Sequence, residues 1–158
     1  MLDKVVQAAM RPLMVRAARV LSEAGVGADA LTWTGFALGL GAAAAIATGH
    51  FLTGLGLLLA SRLMDGLDGA VARVTQPTDR GGFLDITLDF VFYASIPLAF
   101  ALADPGANAL AAAVLLASFI GTGSSFLAFA IVAEKRRLPS LAFPDKSFFF
   151  LGGLTEAT

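Results

Sequence analysis

The sequence predicts an all-α integral membrane protein, a polytopic helix bundle preceded by an amphipathic helix at the membrane interface. Of its 158 residues, 57% are hydrophobic and 15% are charged, and the mean hydropathy is +0.78. Soluble domains have about 45–50% apolar and about 25% charged residues. Charged residues are also absent from three long stretches, 31–61, 90–103 and 105–133. The composition argues against a soluble enzyme, a disordered chain and a nucleic-acid-binding protein.

The first segment, residues 1–25, is predicted to be an amphipathic juxtamembrane helix. Its apolar residues recur at spacings of three and four: Leu2, Val5, Val6, Ala9, Met10, Leu13, Ala17, Val20, Leu21 and Ala24. Its basic residues lie largely off that face: Lys4, Arg11, Arg16 and Arg19. This pattern favours a helix that rests on an anionic membrane surface and ends at Gly25 and Gly27. An ordinary helix packed on the other spans is the alternative.

The rest of the chain, residues 26–158, is predicted to be a transmembrane domain with four complete spans. A span needs about 20 mostly apolar residues. The predicted spans are 31–49, 51–73, 83–104 and 108–133. A polar loop then leads to residues 146–153, which resemble the start of a fifth span. Residues 146–158 are therefore either a short docked helix or, as we favour, the point at which the chain lacks the end of a larger protein.

The distribution of basic residues predicts the orientation of these spans. Beyond the amphipathic helix, the basic loop residues are Arg73, Arg80, Lys135, Arg136, Arg137 and Lys146. All of them lie on one side of the predicted membrane, and the loops on the other side have none. Because Lys and Arg are enriched in cytoplasmic loops, we expect a cytosolic N-terminus and cytosolic loops after the second and fourth spans.

The charges are concentrated in one region, where 8 of the 23 formal charges fall in residues 62–89. Asp65 and Asp68 are three residues apart, and Asp85 and Asp89 are four apart, so each pair shares a helix face. Four carboxylates in a partly desolvated site require cations. Their oxygen ligands suit two divalent ions, Mg²⁺ or Mn²⁺, which are a recurrent device for phosphoryl transfer. All four carboxylates would face the cytosol.

Small and basic residues flank these carboxylates. Glycines and alanines remove side-chain bulk beside them: Gly66, Gly69, Ala70, Ala72, Gly81 and Gly82. A ligand can therefore approach the backbone closely, and the guanidinium of Arg73 can bind phosphate oxygens of a nucleotide diphosphate. Arg62 is expected to pair with a carboxylate or to extend towards the interface, and Tyr93 is expected to serve packing or the interface. Structural ion pairs, or a proton or cation path, are the alternative interpretation of the charges.

The pattern Asp65-x2-Asp68-Gly69-x2-Ala72-Arg73, followed by Gly81-x3-Asp85-x3-Asp89, resembles the signature of the CDP-alcohol phosphatidyltransferase family. The resemblance covers nearly the whole chain and is strongest to a bacterial inner-membrane branch. The chain differs in a spacer of seven residues, 74–80, where the family usually has eight, and in Ala28-Asp29 where it usually has Pro-Asn. Because family members usually have six spans, the resemblance also implies that this chain stops within the fifth.

The resemblance implies a role for each matching residue. The metal ligands would be Asp65, Asp68, Asp85 and Asp89, and Asp89 would also take the proton of the attacking hydroxyl. The residues that contact the CDP-linked donor would be Asp29, Thr32, Gly69, Ala72, Arg73, Thr78 and Gly81. The reaction would move a phosphatidyl group from CDP-diacylglycerol to a small alcohol and release CMP. A homodimer in the bacterial inner membrane, surrounded by membrane lipids, is implied as well.

Two other functions remain open at this stage. In the first, a CDP-linked headgroup is transferred to a lipid hydroxyl, which reverses the solubilities of donor and acceptor. In the second, the chain is a non-catalytic membrane protein or a cation transporter built on the same scaffold. Release of CMP separates both transferase reactions from the second alternative.

Overall fold

The computed structural model describes residues 2–136, and for residues 2–11 it describes the helical backbone alone. Within this range the chain forms α-helices and no strand, which confirms the predicted all-α fold. The helices are α1 (Leu2–Glu23), α2 (Ala28–Ala47), α3 (Phe51–Val74), α4 (Asp79–Ala103) and α5 (Pro105–Lys135). The predicted start of a fifth span, residues 146–153, lies outside the described residues.

Three of these helices, α2, α4 and α5, are long and apolar enough to cross a membrane. Helix α3 has 24 residues, which is sufficient length for a span. However, Arg62, Asp65 and Asp68 place three charges within two turns of it. The fold is therefore a membrane helix bundle. That α3 also crosses the membrane remains a prediction.

Helices α2, α4 and α5 begin before the predicted spans, and polar residues cap α4 and α5. Helix α4 starts at Asp79, where Oγ1 of Thr78 accepts a hydrogen bond of 3.0 Å from the backbone N–H of Gly81. Helix α5 starts at Pro105, where Oδ1 of Asp104 accepts one of 3.0 Å from the N–H of Ala107. Such caps satisfy N–H groups that the first helical turn leaves unpaired. An apolar stretch marks the part of a helix that faces hydrocarbon, whereas the cap sets the start of the helix.

Helix α2 is the centre of the bundle, since both α3 and α4 pack against it. Glycines on α2 allow this approach. A Cβ atom at Gly39 would collide with the ring of Phe92 on α4, and one at Gly35 would lie 3.1 Å from Cβ of Met64 on α3. Close packing at small residues drives helix association in membranes. Helix α5 packs on the far side of α4, and α1 packs on α3.

Helix α1 divides its apolar residues between the bundle and its surroundings. Its buried Ala18 joins a core cluster with residues of α2 and α3: Leu31, Leu67, Ala70 and Val71. Leu13 and Val20 remain 67% and 65% exposed. Part of the apolar face therefore packs on the bundle, as the alternative interpretation expected. The rest is free to contact a membrane surface, and that placement remains a prediction.

Helix α5 exposes large apolar side chains along its whole length. Leu110, Ile120 and Ile131 are 80%, 71% and 69% exposed. Soluble monomers rarely expose a continuous apolar surface of this kind, whereas hydrocarbon is the matching solvent for it. This surface is consistent with a membrane helix that packs on α4 along one side only.

Candidate active site

A narrow cleft between α3 and α4 contains the acidic residues. Among the described residues, α3 and α4 each pack closely on α2 but not closely on each other. Helix α2 therefore holds them apart and forms the floor of the cleft. Ten residues from the three helices line it: Thr32, Gly35, Phe36, Arg62, Asp65, Asp68, Asp85, Leu88, Asp89 and Phe92. The four predicted metal ligands are all among them.

Three of the carboxylates converge on one point. One oxygen each from Asp65, Asp68 and Asp85 lies within 4.8 Å of the other two. Asp65 and Asp68 come from successive turns of α3, and Asp85 comes from the second turn of α4. Oxygens bound to one Mg²⁺ ion at about 2.1 Å lie roughly 3 to 4 Å apart. A small movement of these side chains would therefore place their oxygens around a single ion.

Asp68 provides a direct test of whether a cation fits. This residue is 4% exposed, and its Oδ2 atom is buried with no hydrogen-bond partner among the described residues. A buried carboxylate oxygen without a partner is costly, and a cation is the ligand that removes this cost. The donor set consists of carboxylates alone, which suits a hard divalent ion such as Mg²⁺ or Mn²⁺. The residues present therefore fit a divalent cation.

Asp89 lies in the same cleft but has different partners. Its Oδ1 accepts a hydrogen bond of 3.1 Å from Nη1 of Arg62, and its Oδ2 accepts one of 3.3 Å from the hydroxyl of Tyr93. The same Nη1 atom lies 3.4 Å from Oδ2 of Asp65. The guanidinium thus joins the two acidic pairs, because it bridges Asp65 on α3 and Asp89 on α4.

Several contacts hold Arg62 in this position. Its guanidinium carbon lies 4.0 Å from the centre of the Phe92 ring, an arrangement that attracts a cation to the ring face. Its Nη2 lies 3.4 Å from Oγ of Ser61. Ser61 is itself fully buried and donates a hydrogen bond of 2.7 Å to the carbonyl of Gly35 on α2. The position of this arginine is therefore set by groups on all three helices.

The residues predicted to contact the donor lie towards one end of the cleft. They come from the first two turns of α2, the last two turns of α3, and the N-cap and first turn of α4: Asp29, Thr32, Gly69, Ala72, Arg73, Thr78 and Gly81. Thr32 alone among them lines the cleft itself. Arg73 is exposed, and Asp29 forms an ion pair of 3.6 Å with Arg80. Two helix N-termini in this region provide backbone N–H groups and a dipole that favour anions.

The contact between Tyr93 and Asp89 was not predicted from the sequence. Tyr93 was expected to serve packing or the interface, but its hydroxyl also donates to Asp89. Its spacing of four residues from Asp89 is the signal that could have revealed the contact. Arg62 was expected to pair with a carboxylate, and it lies against two of them. The partner on α4 depends on helix packing and is not visible in local spacing.

These features match a known family of membrane transferases. The chain belongs to the CDP-alcohol phosphatidyltransferase family, whose model matches residues 26–151. It is 51% identical over 158 residues to the inner membrane protein YnjF of Escherichia coli (strain K12), a match that covers the whole of this chain and 77% of that protein. No solved structure matches the chain.

A second relative has a name that states an activity. Over 63 residues the chain is 54% identical to archaetidylinositol phosphate synthase of Methanothermobacter thermautotrophicus, which covers 39% of this chain and 32% of that protein. Members of the family use divalent metals and act on a CDP-linked donor and an alcohol acceptor. The chain is thus a membrane protein of a family of transferases for phospholipid synthesis.

Proposed function

We propose that this protein transfers a phosphatidyl group from CDP-diacylglycerol to a small alcohol and releases CMP. The observation that carries the proposal is the convergence of Asp65, Asp68 and Asp85 in the cleft, with a buried oxygen of Asp68 that lacks a partner. Three carboxylates without a cation are a poor structural element of a membrane helix bundle. Such a set is well suited to binding a divalent ion beside a diphosphate.

Donor binding is assigned to the end of the cleft. Arg73 would bind phosphate oxygens through its planar guanidinium, and the N-terminal turns of α2 and α4 would add N–H groups and a favourable dipole. Gly69, Ala72 and Gly81 leave room for the nucleotide beside the backbone. Asp29, Thr32 and Thr78 provide the remaining polar contacts: two hydroxyls and a carboxylate.

The chemical step is a displacement at the phosphorus atom that carries the lipid. The acceptor hydroxyl attacks this phosphorus, its proton passes to the carboxylate of Asp89, and the bond from phosphorus to the CMP oxygen breaks. Arg62 and Tyr93 orient the Asp89 carboxylate for this proton transfer. A divalent ion held by Asp65, Asp68 and Asp85 would stabilise the charge that develops on the leaving CMP. Two ions, Mg²⁺ or Mn²⁺, remain our prediction for the complete reaction.

We further propose the organisation of the chain in the membrane. Residues 1–25 form a juxtamembrane helix, and residues 26–158 form the transferase domain with four complete spans and the start of a fifth. The protein would be a homodimer in the bacterial inner membrane, with its N-terminus and active site facing the cytosol. The Escherichia coli relative is named as an inner membrane protein, which supports the proposed location, and the basic loops support the proposed orientation.

The test is CMP release by purified protein in CDP-diacylglycerol micelles with Mg²⁺ or Mn²⁺. The acceptor panel contains inositol phosphate, glycerol 3-phosphate, serine, inositol and glycerol. Inositol phosphate is tested first because the archaeal relative is named an archaetidylinositol phosphate synthase. Metal-dependent CMP release with one acceptor is the expected result. Release from a water-soluble CDP-alcohol with diacylglycerol as the acceptor would instead establish the reverse arrangement. Cation flux without any CMP release would establish a transporter.

A further inference from the structure

A positively charged side chain of the protein, Arg62, lies between the two acidic pairs. Asp65 and Asp89 lie on different helices, and Nη1 of Arg62 is 3.4 Å from the first and 3.1 Å from the second. The Arg guanidinium stays charged at any ordinary pH. One positive charge is therefore built into the position where the two acidic pairs meet.

We infer that Arg62 takes the place of a second divalent ion, so that the protein without its donor binds a single divalent ion, at Asp65, Asp68 and Asp85. This inference rests on the proposed metal-dependent function and specifies how many ions the free site takes. Arg62 itself lies outside the family signature, which begins at Asp65.

The hydrogen bonds of Asp89 are the first argument. Both of its oxygens already accept bonds from protein donors, one from Arg62 and one from Tyr93. A divalent ion at Asp89 would have to share these oxygens with two protein donors, one of which is itself a cation. In the triad of Asp65, Asp68 and Asp85, one oxygen of each residue lies within 4.8 Å of the other two, and Arg62 lies 3.4 Å from Oδ2 of Asp65. The difference is at Asp68, whose buried Oδ2 has no partner among the described residues. A first divalent ion is therefore expected to bind beside Asp68 and not beside Asp89.

Charge and anchoring provide the second argument. The four carboxylates of the cleft carry four negative charges, and Arg62 reduces the formal total to three. One divalent ion leaves a single negative charge, whereas a second would make the cleft positive and would lie close to the guanidinium. Arg62 does not move away easily, because it stacks on Phe92 at 4.0 Å and contacts the buried Ser61. The free site is therefore matched to one ion.

The test counts Mn²⁺ ions bound to detergent-solubilised protein without nucleotide, by electron paramagnetic resonance of the free ion during a titration. We expect one tightly bound ion per wild-type chain. Arg62→Gln removes the charge and keeps a planar polar group, and we expect two ions in this variant. Arg62→Lys keeps a positive charge, and we expect one. Lys135→Gln, at the exposed end of α5, is the matched control and should also bind one.

Each other outcome has a distinct meaning. Two tightly bound ions in the wild-type protein would overturn the inference and leave the proposed function intact. One ion in Arg62→Gln, as in the wild type, would overturn it as well. No bound ion in a folded wild-type protein would contradict the proposed metal site itself. The wild-type count requires no variant, so it decides the question even if Arg62→Gln does not fold.

Discussion

Asp89 is the carboxylate whose surroundings differ most from those of its neighbours. Asp65, Asp68 and Asp85 face one another, while Asp89 is held by Arg62 and Tyr93. A general base must keep a fixed direction towards the hydroxyl that it deprotonates. The two hydrogen bonds would provide that direction for Asp89 as the proposed base, whereas the triad is the proposed site of a divalent ion.

The role of Asp89 leads to a prediction for Asp89→Asn. The amide cannot take the proton of the acceptor hydroxyl, so CMP release should fall by about 10²- to 10⁴-fold. Binding of the CDP-linked donor should persist, because the groups assigned to it lie elsewhere. The measurement is CMP release together with retention of the donor by the purified variant.

Asp104→Asn is the control for this substitution. Asp104 is exposed and caps α5 at the other end of α4, and Asn caps helices about as well as Asp. This variant should retain wild-type activity. Near-normal turnover in Asp89→Asn would remove the base from our mechanism.

Helix α2 positions the site through its contacts with α3 and α4. The carboxylates and Arg62 lie on the outer two helices, and the distance between them depends on how closely each packs on α2. Phe92 is central to this geometry. Its ring packs against Gly39 of α2, and the guanidinium of Arg62 stacks on one face of the ring. Packing at one glycine is therefore connected to the electrostatics of the cleft.

Gly39→Ala should test this connection. The added Cβ would collide with the ring of Phe92, which is 4% exposed and has little room to move. Overpacking of this kind costs about 1–3 kcal/mol, so the melting temperature in detergent should fall. CMP release should fall as well, because the ring supports Arg62.

Gly56→Ala is the matched control on α3, since a Cβ there meets nothing within 4 Å. It should leave the melting temperature unchanged or raise it slightly, because Ala favours helix more than Gly. Equal melting temperatures for the two variants would contradict the packing of α2 on α4 described above.

The helices and the acidic pairs could be predicted from the sequence because the relevant signals are local. A spacing of three or four residues puts Asp65 beside Asp68 and Asp85 beside Asp89 whatever the helices pack against. The starts of α2, α4 and α5 were predicted too late, because each helix begins before its apolar stretch does. Thr78 and Asp104 provide the caps of α4 and α5. These errors are of one helical turn.

The contacts across the cleft could not be predicted in this way. Arg62 precedes Asp65 by three residues, but its closer partner is Asp89, 27 residues away on α4. That contact exists because α3 and α4 both pack on α2, which depends on glycine positions and on the Phe92 ring. Long-range packing of this kind is not encoded in a local pattern.

The basic residues of the loops predict the orientation of the whole molecule. The turn between α3 and α4 is flanked by Arg73 and Arg80, whereas the turn between α2 and α3 at Gly49 contains neither Lys nor Arg. The chain has no cysteine, so a single introduced thiol reports one position. We predict that Gln76→Cys faces the cytosol and that His50→Cys faces the opposite side.

Labelling of intact cells with a maleimide that does not cross membranes measures this orientation. His50→Cys should be labelled directly, and Gln76→Cys only after the inner membrane is permeabilised. Both positions are exposed, so accessibility within the protein does not limit the reaction. Labelling in the reverse order would place the acidic cleft on the other side and contradict a cytosolic active site. Labelling of both positions in intact cells would contradict a crossing by α3.

We propose that the carboxylate triad holds the ion on which transfer depends. The most direct measurement is CMP release after treatment with EDTA, followed by titration with Mg²⁺ or Mn²⁺, in the wild-type protein and in Asp68→Asn. We predict that EDTA abolishes release in the wild type and that either ion restores it, whereas Asp68→Asn requires at least tenfold more metal or stays inactive. CMP release that resists EDTA, or an unchanged metal requirement in a folded Asp68→Asn variant, would contradict the claim.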